Sequence, residues 1–192
     1  MDFLLAPDGG SARKARKLLA EQAPGLYRTA GTWPELMAQA AAAYLLPSTP
    51  EDWTEGLAQA ASRQTDAFWR SSLKVAPRET LAELQAALVR LLEAAGPAAD
   101  WKALVGRMPT DSRLERRLSD FNQLVETTGG LPLRLQQMAD LLAANDPPLR
   151  PIRVYYPPGM ELDSWQQAVL RKLGGDAPAA DPVLQALLNK TC

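Results

Sequence analysis

Apolar residues fall along this chain in two patterns: short continuous runs and longer stretches at helical spacing. Residues 2–6 and 152–156 are short apolar runs, each followed by a turn signal and a helical stretch, as in βα units. Residues 26–29 form a third candidate strand. From 49 to 148 the apolar residues recur at the spacing of one helix face, which predicts several consecutive helices.

This order of elements predicts the α/β class with a predominance of α-helix. Because both apolar runs lead into a turn and a helix, we expect residues 2–6 and 152–156 to pair as parallel strands. Residues 1–48 and 149–192 then form one core, and residues 49–148 are a helical insertion. Two or three strands are few for such a sheet, which is compatible with a fragment of a longer protein, and the sequence leaves that question open.

Turn and capping residues predict where several helices begin. The first helix is expected from about residue 12, after a turn at Pro7–Ser11. Asp163 or Ser164 is expected to cap the helix after the second apolar run. A further helix is expected from Thr49, and its apolar positions are Trp53, Leu57, Phe68 and Trp69.

The composition is that of an ordinary globular chain, with 192 residues, 46% hydrophobic, 22% charged and a formal net charge of −1. This balance lacks the strongly basic character of an autonomous tight DNA binder. A local group of basic residues on one helix face is still compatible with weaker DNA binding. Each such group is otherwise interpreted as ordinary solvated helix surface. Two groups stand out: Arg13, Lys14, Arg16 and Lys17, and then Arg107, Arg113, Arg116 and Arg117.

Residue usage excludes several kinds of catalytic site. The chain has no histidine, and Cys192 is its single cysteine. Ser-His-Asp and Cys-His catalysis, His-ligated zinc and Cys-rich metal sites are therefore excluded. Carboxylate-bound Mg²⁺ stays open in principle, but no compact acidic motif points to it, so we expect no metal and no cofactor. The lone cysteine and the absence of a signal peptide or a long apolar span predict a cytoplasmic protein without membrane contact.

The glycine-rich turn after the first apolar run has the general form of a phosphate-binding loop. In such a loop, backbone N–H groups and a helix N-terminus hold phosphate. Aligned with the usual motif, Gly9, Gly10 and Ser11 precede Ala12 at the lysine position and Arg13 at the Ser/Thr position. Shifting the alignment brings in Lys14, but alanine follows it. The segment is thus either a degenerate P-loop or an ordinary βα turn.

Three regions resemble the N-terminal part of the AddB subunit of AddAB-type, UvrD/RecB-like helicase–nucleases. They are Phe3–Ser11, then Arg113–Phe121, and then Ile152–Met160 with the following Ser164–Leu170. In that family the last region is a strand ending in an acid, a turn and a helix. Here Pro157 or Pro158 occupies the acid position. The resemblance covers most of the chain as an order of elements.

The resemblance implies a partial RecA-like parallel core with a large helical insertion, associated in the family with a C-terminal PD-(D/E)XK nuclease. Loss of both the phosphate-binding lysine and the magnesium-binding acid implies that this chain hydrolyses no ATP and is not itself catalytic. It is then an inactivated helicase-like region for double-strand-break repair in bacteria. Its expected role is to position DNA or a subunit.

The expected partners are DNA and either a helicase–nuclease partner subunit or the C-terminal remainder of the same protein. We expect weak, salt-sensitive DNA binding without sequence preference. The residues expected to contact DNA are Arg13, Lys14 and Lys17, or Arg113, Arg116 and Arg117. A helical protein-interaction module without a nucleic-acid role is the alternative function.

Overall fold

The computed structural model describes residues 1–22, 28–46, 53–98, 101–128 and 131–174. The chain divides into two compact units. The first contains Met1–Ser48 and Gln137–Cys192, and the second contains Thr49–Gln136. The first unit is therefore assembled from two segments that are distant in sequence. The three-part division expected from the sequence stays a prediction.

Twelve elements lie within the described residues, and helices predominate among them. The strands are β1 (Asp2–Leu5), β2 (Arg28–Gly31) and β3 (Arg153–Tyr155). The first four helices are α1 (Gly9–Gln22), α2 (Trp33–Ala43), α3 (Trp53–Arg63) and α4 (Arg70–Val75). The remaining helices are α5 (Pro77–Ala95), α6 (Trp101–Gly106), α7 (Arg113–Thr128), α8 (Leu133–Ala143) and α9 (Ser164–Lys172).

The three described strands form one parallel sheet in the order β2-β1-β3. β1 lies in the middle, where both of its faces are covered, and Phe3, Leu4 and Leu5 are at most 2% exposed. Phe3 pairs with Val154 of β3, so the predicted parallel pairing of the two distant apolar runs is confirmed. The chain is thus mostly helical with a small parallel sheet, consistent with the α/β class.

The first unit buries its sheet under amphipathic helices. On α1, Ala12, Ala15 and Leu19 are buried, and this spacing puts them on one helix face. Ala15 and Leu19 pack with Leu4 and Ala30 of the sheet. α9 buries Trp165, Val169 and Leu170 in the same way. The carboxyl ends of the strands are left next to the turns that lead into the helices.

The second unit has an all-helical core in its described part. α3 buries Trp53 and Leu57, and α5 buries Leu84, Leu88 and Leu92. α7 packs against α3 and contributes Phe121 and Leu124. Gly56 on α3 allows a close approach, since a Cβ at this position would lie 2.8 Å from the backbone oxygen of Thr128.

Two predicted boundaries are corrected. α1 begins at Gly9 rather than near residue 12, because the carboxylate of Asp8 binds amides of its first turn. The second strand, described over Arg28–Gly31, ends at Gly31 rather than at residue 29, and the expected start at 26 lies outside the described residues. Its Gly31 end approaches Phe3 so closely that a Cβ would meet the phenyl ring at 2.8 Å.

The helix expected from Thr49 to Trp69 is also wrong in part. Its start lies outside the described residues, α3 ends at Arg63, and Phe68 and Trp69 occupy the turn before α4. The indole N–H of Trp69 donates to the carbonyl of Ala61 in α3, at 3.3 Å. Packing of the two aromatic rings against Phe121 therefore overrides the helical period of the sequence.

Candidate functional site

The turn between β1 and α1 is short, because only the three residues Ala6, Pro7 and Asp8 separate the strand from the helix. Asp8 Oδ1 accepts hydrogen bonds from the amides of Gly10 at 2.7 Å and Ser11 at 2.9 Å. The Ser11 hydroxyl donates to the other carboxylate oxygen at 2.9 Å. These bonds, led by the one from the Ser11 amide, hold the pKa of Asp8 below its usual range.

At the predicted P-loop residues, the amides of Gly10 and Ser11 that a phosphate loop would offer to its ligand are thus already bonded to Asp8. Gly9, Gly10, Ser11, Ala12 and Arg13 all belong to α1. The helix N-terminus, which would attract an anion, already holds a carboxylate of its own chain. Ala12 is 1% exposed and packs inward, so a longer side chain at that position would point into the core rather than toward phosphate.

The turn after β3 offers no acid at the strand end. β3 ends at Tyr155, and Pro157 to Met160 form a turn in which Gly159 has φ +82° and the Met160 amide donates to the Pro157 carbonyl. Asp163 accepts a hydrogen bond from the Gln166 amide at 2.7 Å, so the predicted helix cap at Asp163 is confirmed. In the described part of the chain, no three acidic or cysteine side chains lie close enough to hold a metal ion.

A cleft of about 490 Å³ lies where the three strands end. We call it the sheet-edge cleft, and it is lined by Ala6, Pro7, Trp33, Pro157–Glu161 and Gln166. Trp33 opens α2 directly after β2 and is 9% exposed. Its indole N–H has no acceptor among the described residues. Ligands of open α/β sheets commonly bind at this edge.

The basic face of α1 is partly neutralised by its own surroundings. Arg16 is paired with Glu35, and its Nε donates to the carbonyl of Ala30 at 2.7 Å. The pKa of Glu35 is lowered, first by the hydrogen bond from the Thr32 amide and then by Arg16. Lys17 lies 3.9 Å from Glu21 on the same helix. Of the predicted DNA contacts on α1, only Arg13 and Lys14 have no ion-pair partner within the described residues.

The basic face of α7 is more open. Arg113, Arg116 and Arg117 lie on one side of the helix, at the spacing that makes side chains neighbours. All three are exposed, and none forms an ion pair with another described residue. Arg117 lies over the ring of Phe68, with 5.2 Å between its guanidinium carbon and the ring centroid.

Sequence reasoning missed the part that Phe68 plays at this surface. Phe68 is 42% exposed, its ring stacks edge-on against Trp69 at 4.9 Å, and its amide donates to Asp120. A second cleft, of about 390 Å³, lies beside it and is lined by apolar groups of Trp69, Leu84 and Phe121. No pattern signals this exposure, because Phe68 falls at a helical spacing that is typical of core residues.

Among the described residues, none of the helices combines the length and the apolar character that a bilayer span requires. The side chain of Trp101 and the whole of Cys192 lie outside the described part.

No protein-family model, curated protein or solved structure matches this chain at a significant level.

Proposed function

We propose that this chain is a non-hydrolysing, helicase-like module that positions DNA, and that α7 makes the main contact with the DNA backbone. In this proposal the parallel sheet of residues 1–48 and 149–192 is a partial RecA-like core, and residues 49–148 are an inserted helical subdomain. The chain then acts beside a partner subunit or a C-terminal nuclease region, as the resemblance to AddB implies.

The observation that carries the DNA contact is the row of three guanidinium groups on α7 that form no ion pair with any residue in the described part of the chain. Guanidinium groups form bidentate hydrogen bonds with phosphate oxygens, and these contacts do not depend on base sequence. α1 offers fewer unpaired charges, since Arg16 is bound to Glu35 and the Asp8 carboxylate adds a negative charge nearby. The sequence alone does not rank the basic faces of α1 and α7. The structure gives α7 more basic side chains that are available to bind phosphate.

The DNA contact is tested by charge reversal on each helix. Fluorescence anisotropy with a labelled single strand and a labelled duplex, at low and moderate salt, measures affinity. The double variant Arg113→Glu with Arg117→Glu is expected to abolish binding. The matched variant Arg13→Glu with Lys17→Glu is expected to retain most of it. Binding that both variants retain would place the contact on a different surface.

The proposed absence of ATP hydrolysis is supported by the hydrogen bonds that Asp8 accepts from the first turn of α1 and by the prolines after β3. We expect no measurable ATP hydrolysis and at most weak ATP binding, since phosphoryl transfer needs both a phosphate cradle and a magnesium-binding acid. Calorimetric titration with Mg-ATP tests this expectation. A micromolar affinity would contradict it and would return Arg13 and Lys14 to consideration as phosphate ligands.

A second candidate function is a helical protein-interaction module. The apolar cleft beside the half-exposed ring of Phe68 favours it, because exposed aromatic surface next to a concave apolar groove is common at protein interfaces. The anisotropy experiment separates the two functions. No binding of either DNA probe at low salt would favour the interaction module.

A further inference from the structure

We propose that the sheet-edge cleft binds a neutral, flat heteroaromatic molecule of the size of a purine or its nucleoside, and that a phosphate group on this molecule weakens binding. The site is independent of the DNA contact proposed for α7, because it is formed by different residues. It also differs from a nucleotide site, in which phosphate supplies the affinity.

The position and size of the cleft suit a small ligand. It opens at the carboxyl ends of the parallel strands, where Ala6 follows β1 and Pro157 lies just beyond β3. Its volume of about 490 Å³ falls within the range of small-molecule pockets in proteins. In a phosphate-binding loop, residues such as Gly9 to Arg13 would reach into this region. Here these residues belong to α1.

The lining favours a flat, mostly apolar ligand. The apolar surface of the cleft is supplied by Pro7, Trp33, Pro157, Pro158 and Met160, and Trp33 is the aromatic residue among them. Aromatic ligands gain by offset stacking on such a ring, and proline rings give a rigid wall that loses little entropy on binding. A long flexible aliphatic ligand would use neither feature.

A hydrogen-bond donor in the cleft selects a ligand with an acceptor. The side-chain oxygen of Gln166 accepts from the Asp163 amide at 3.0 Å, so its Nε2 group is the part left for a ligand. Trp33 Nε1–H also has no acceptor among the described residues, but this atom is fully buried, so a ligand in the cleft would not reach it. A ligand that leaves the Gln166 donor covered and unpaired loses free energy, whereas a ring nitrogen or carbonyl facing it restores the hydrogen bond. This donor therefore suits an acceptor nitrogen of a purine-like ring.

The charges at the cleft oppose an anion. Glu161 lines it, and the ionised Asp8 directly follows Pro7, which also lines it. No lysine or arginine is among the described residues that line the cleft. Coulomb repulsion from these carboxylates would act on a phosphate attached to the ring.

Calorimetric titration with adenosine, ATP and inorganic phosphate as probes tests the proposal. We expect adenosine to bind, ATP to bind about tenfold more weakly, and inorganic phosphate not to bind. Gln166→Glu keeps an oxygen for the Asp163 amide but removes the Nε2 donor and adds a charge, so it is expected to weaken adenosine binding about tenfold or more. Gln167→Glu adds the same charge to an exposed neighbour outside the lining, where it removes the bond from Nε2 to the Leu162 carbonyl, and it is expected to affect adenosine binding much less than Gln166→Glu.

Glu161→Gln separates the charge effect from the ring contact. It is expected to improve ATP binding severalfold and so to narrow the difference between ATP and adenosine binding. Circular dichroism spectra that match the wild type confirm that each variant is folded. Absence of adenosine binding, ATP binding as tight as adenosine binding, or equal effects of the two glutamine substitutions would each overturn the proposal.

Discussion

At the scale of single residues, the carboxylate of Asp8 accepts hydrogen bonds from amides in the first turn of α1. A glycine-rich turn after a strand is the usual sign of a phosphate loop, and the sequence around Gly9 and Gly10 has that sign. The carboxylate of Asp8 accepts the amide hydrogens that a phosphate would need. The Asp8 carboxylate therefore caps α1 at the place where a phosphate loop would bind its anion.

Replacing Asp8 with alanine is expected to lower the melting temperature at neutral pH, since two amides of α1 lose their acceptor. The folded-state pKa of Asp8 is lowered, so its stabilising effect is present above the ordinary aspartate range and is lost as pH falls through the lowered pKa. The difference in melting temperature between wild type and Asp8→Ala should therefore be largest at neutral pH and shrink as the pH falls below the ordinary aspartate range.

Asp146→Ala serves as the control for this measurement, because Asp146 is exposed and caps no described helix. It should change the melting temperature little at either pH. An Asp8→Ala protein as stable as wild type at neutral pH would mean that the carboxylate does not hold the turn.

At the scale of elements, the close contact between α3 and α7 depends on Gly56. Alanine there would bring a Cβ to 2.8 Å from the carbonyl oxygen of Thr128, and backbone yields less readily than a flexible side chain. We expect Gly56→Ala to destabilise the protein by about 1–3 kcal/mol, as overpacking commonly does. Urea unfolding followed by circular dichroism measures the change.

Gly106→Ala is the matched control, since a Cβ at this end of α6 meets nothing within 4 Å. It should be neutral or slightly stabilising, because alanine has the higher helix propensity. Equal losses from the two substitutions would show that the contact between α3 and α7 is not as close as described.

Element prediction succeeded where the local pattern dominates and failed where distant contacts decide. The runs at Phe3 and Val154 are apolar and followed by turns, so both strands and their parallel pairing followed from the sequence. The break between α3 and α4 did not, because it is stabilised by Trp69 packing on Phe121 from a separate helix. Nothing local to Phe68 distinguishes a ring in a turn from one on a helix face.

At the scale of the whole molecule, the sequence located two basic groups but could not rank them. The ranking depends on ion pairs between residues distant in sequence, of which Arg16 with Glu35 is the clearest. The sheet-edge cleft was equally beyond sequence reasoning. It requires Trp33 and Gln166 to meet at one edge of the sheet, and that follows only from the strand order.

The salt dependence of single-strand binding is the sharpest test of the proposed contact between α7 and DNA. If Arg113, Arg116 and Arg117 each hold a phosphate, replacing all three with glutamine should reduce the slope of log K against log salt concentration by about 2. The matched variant with glutamine at Arg13, Lys14 and Lys17 should keep nearly the wild-type slope. An α7 variant with the wild-type slope would contradict the proposed DNA contact of α7. A wild-type protein that binds no single strand at low salt would contradict it as well.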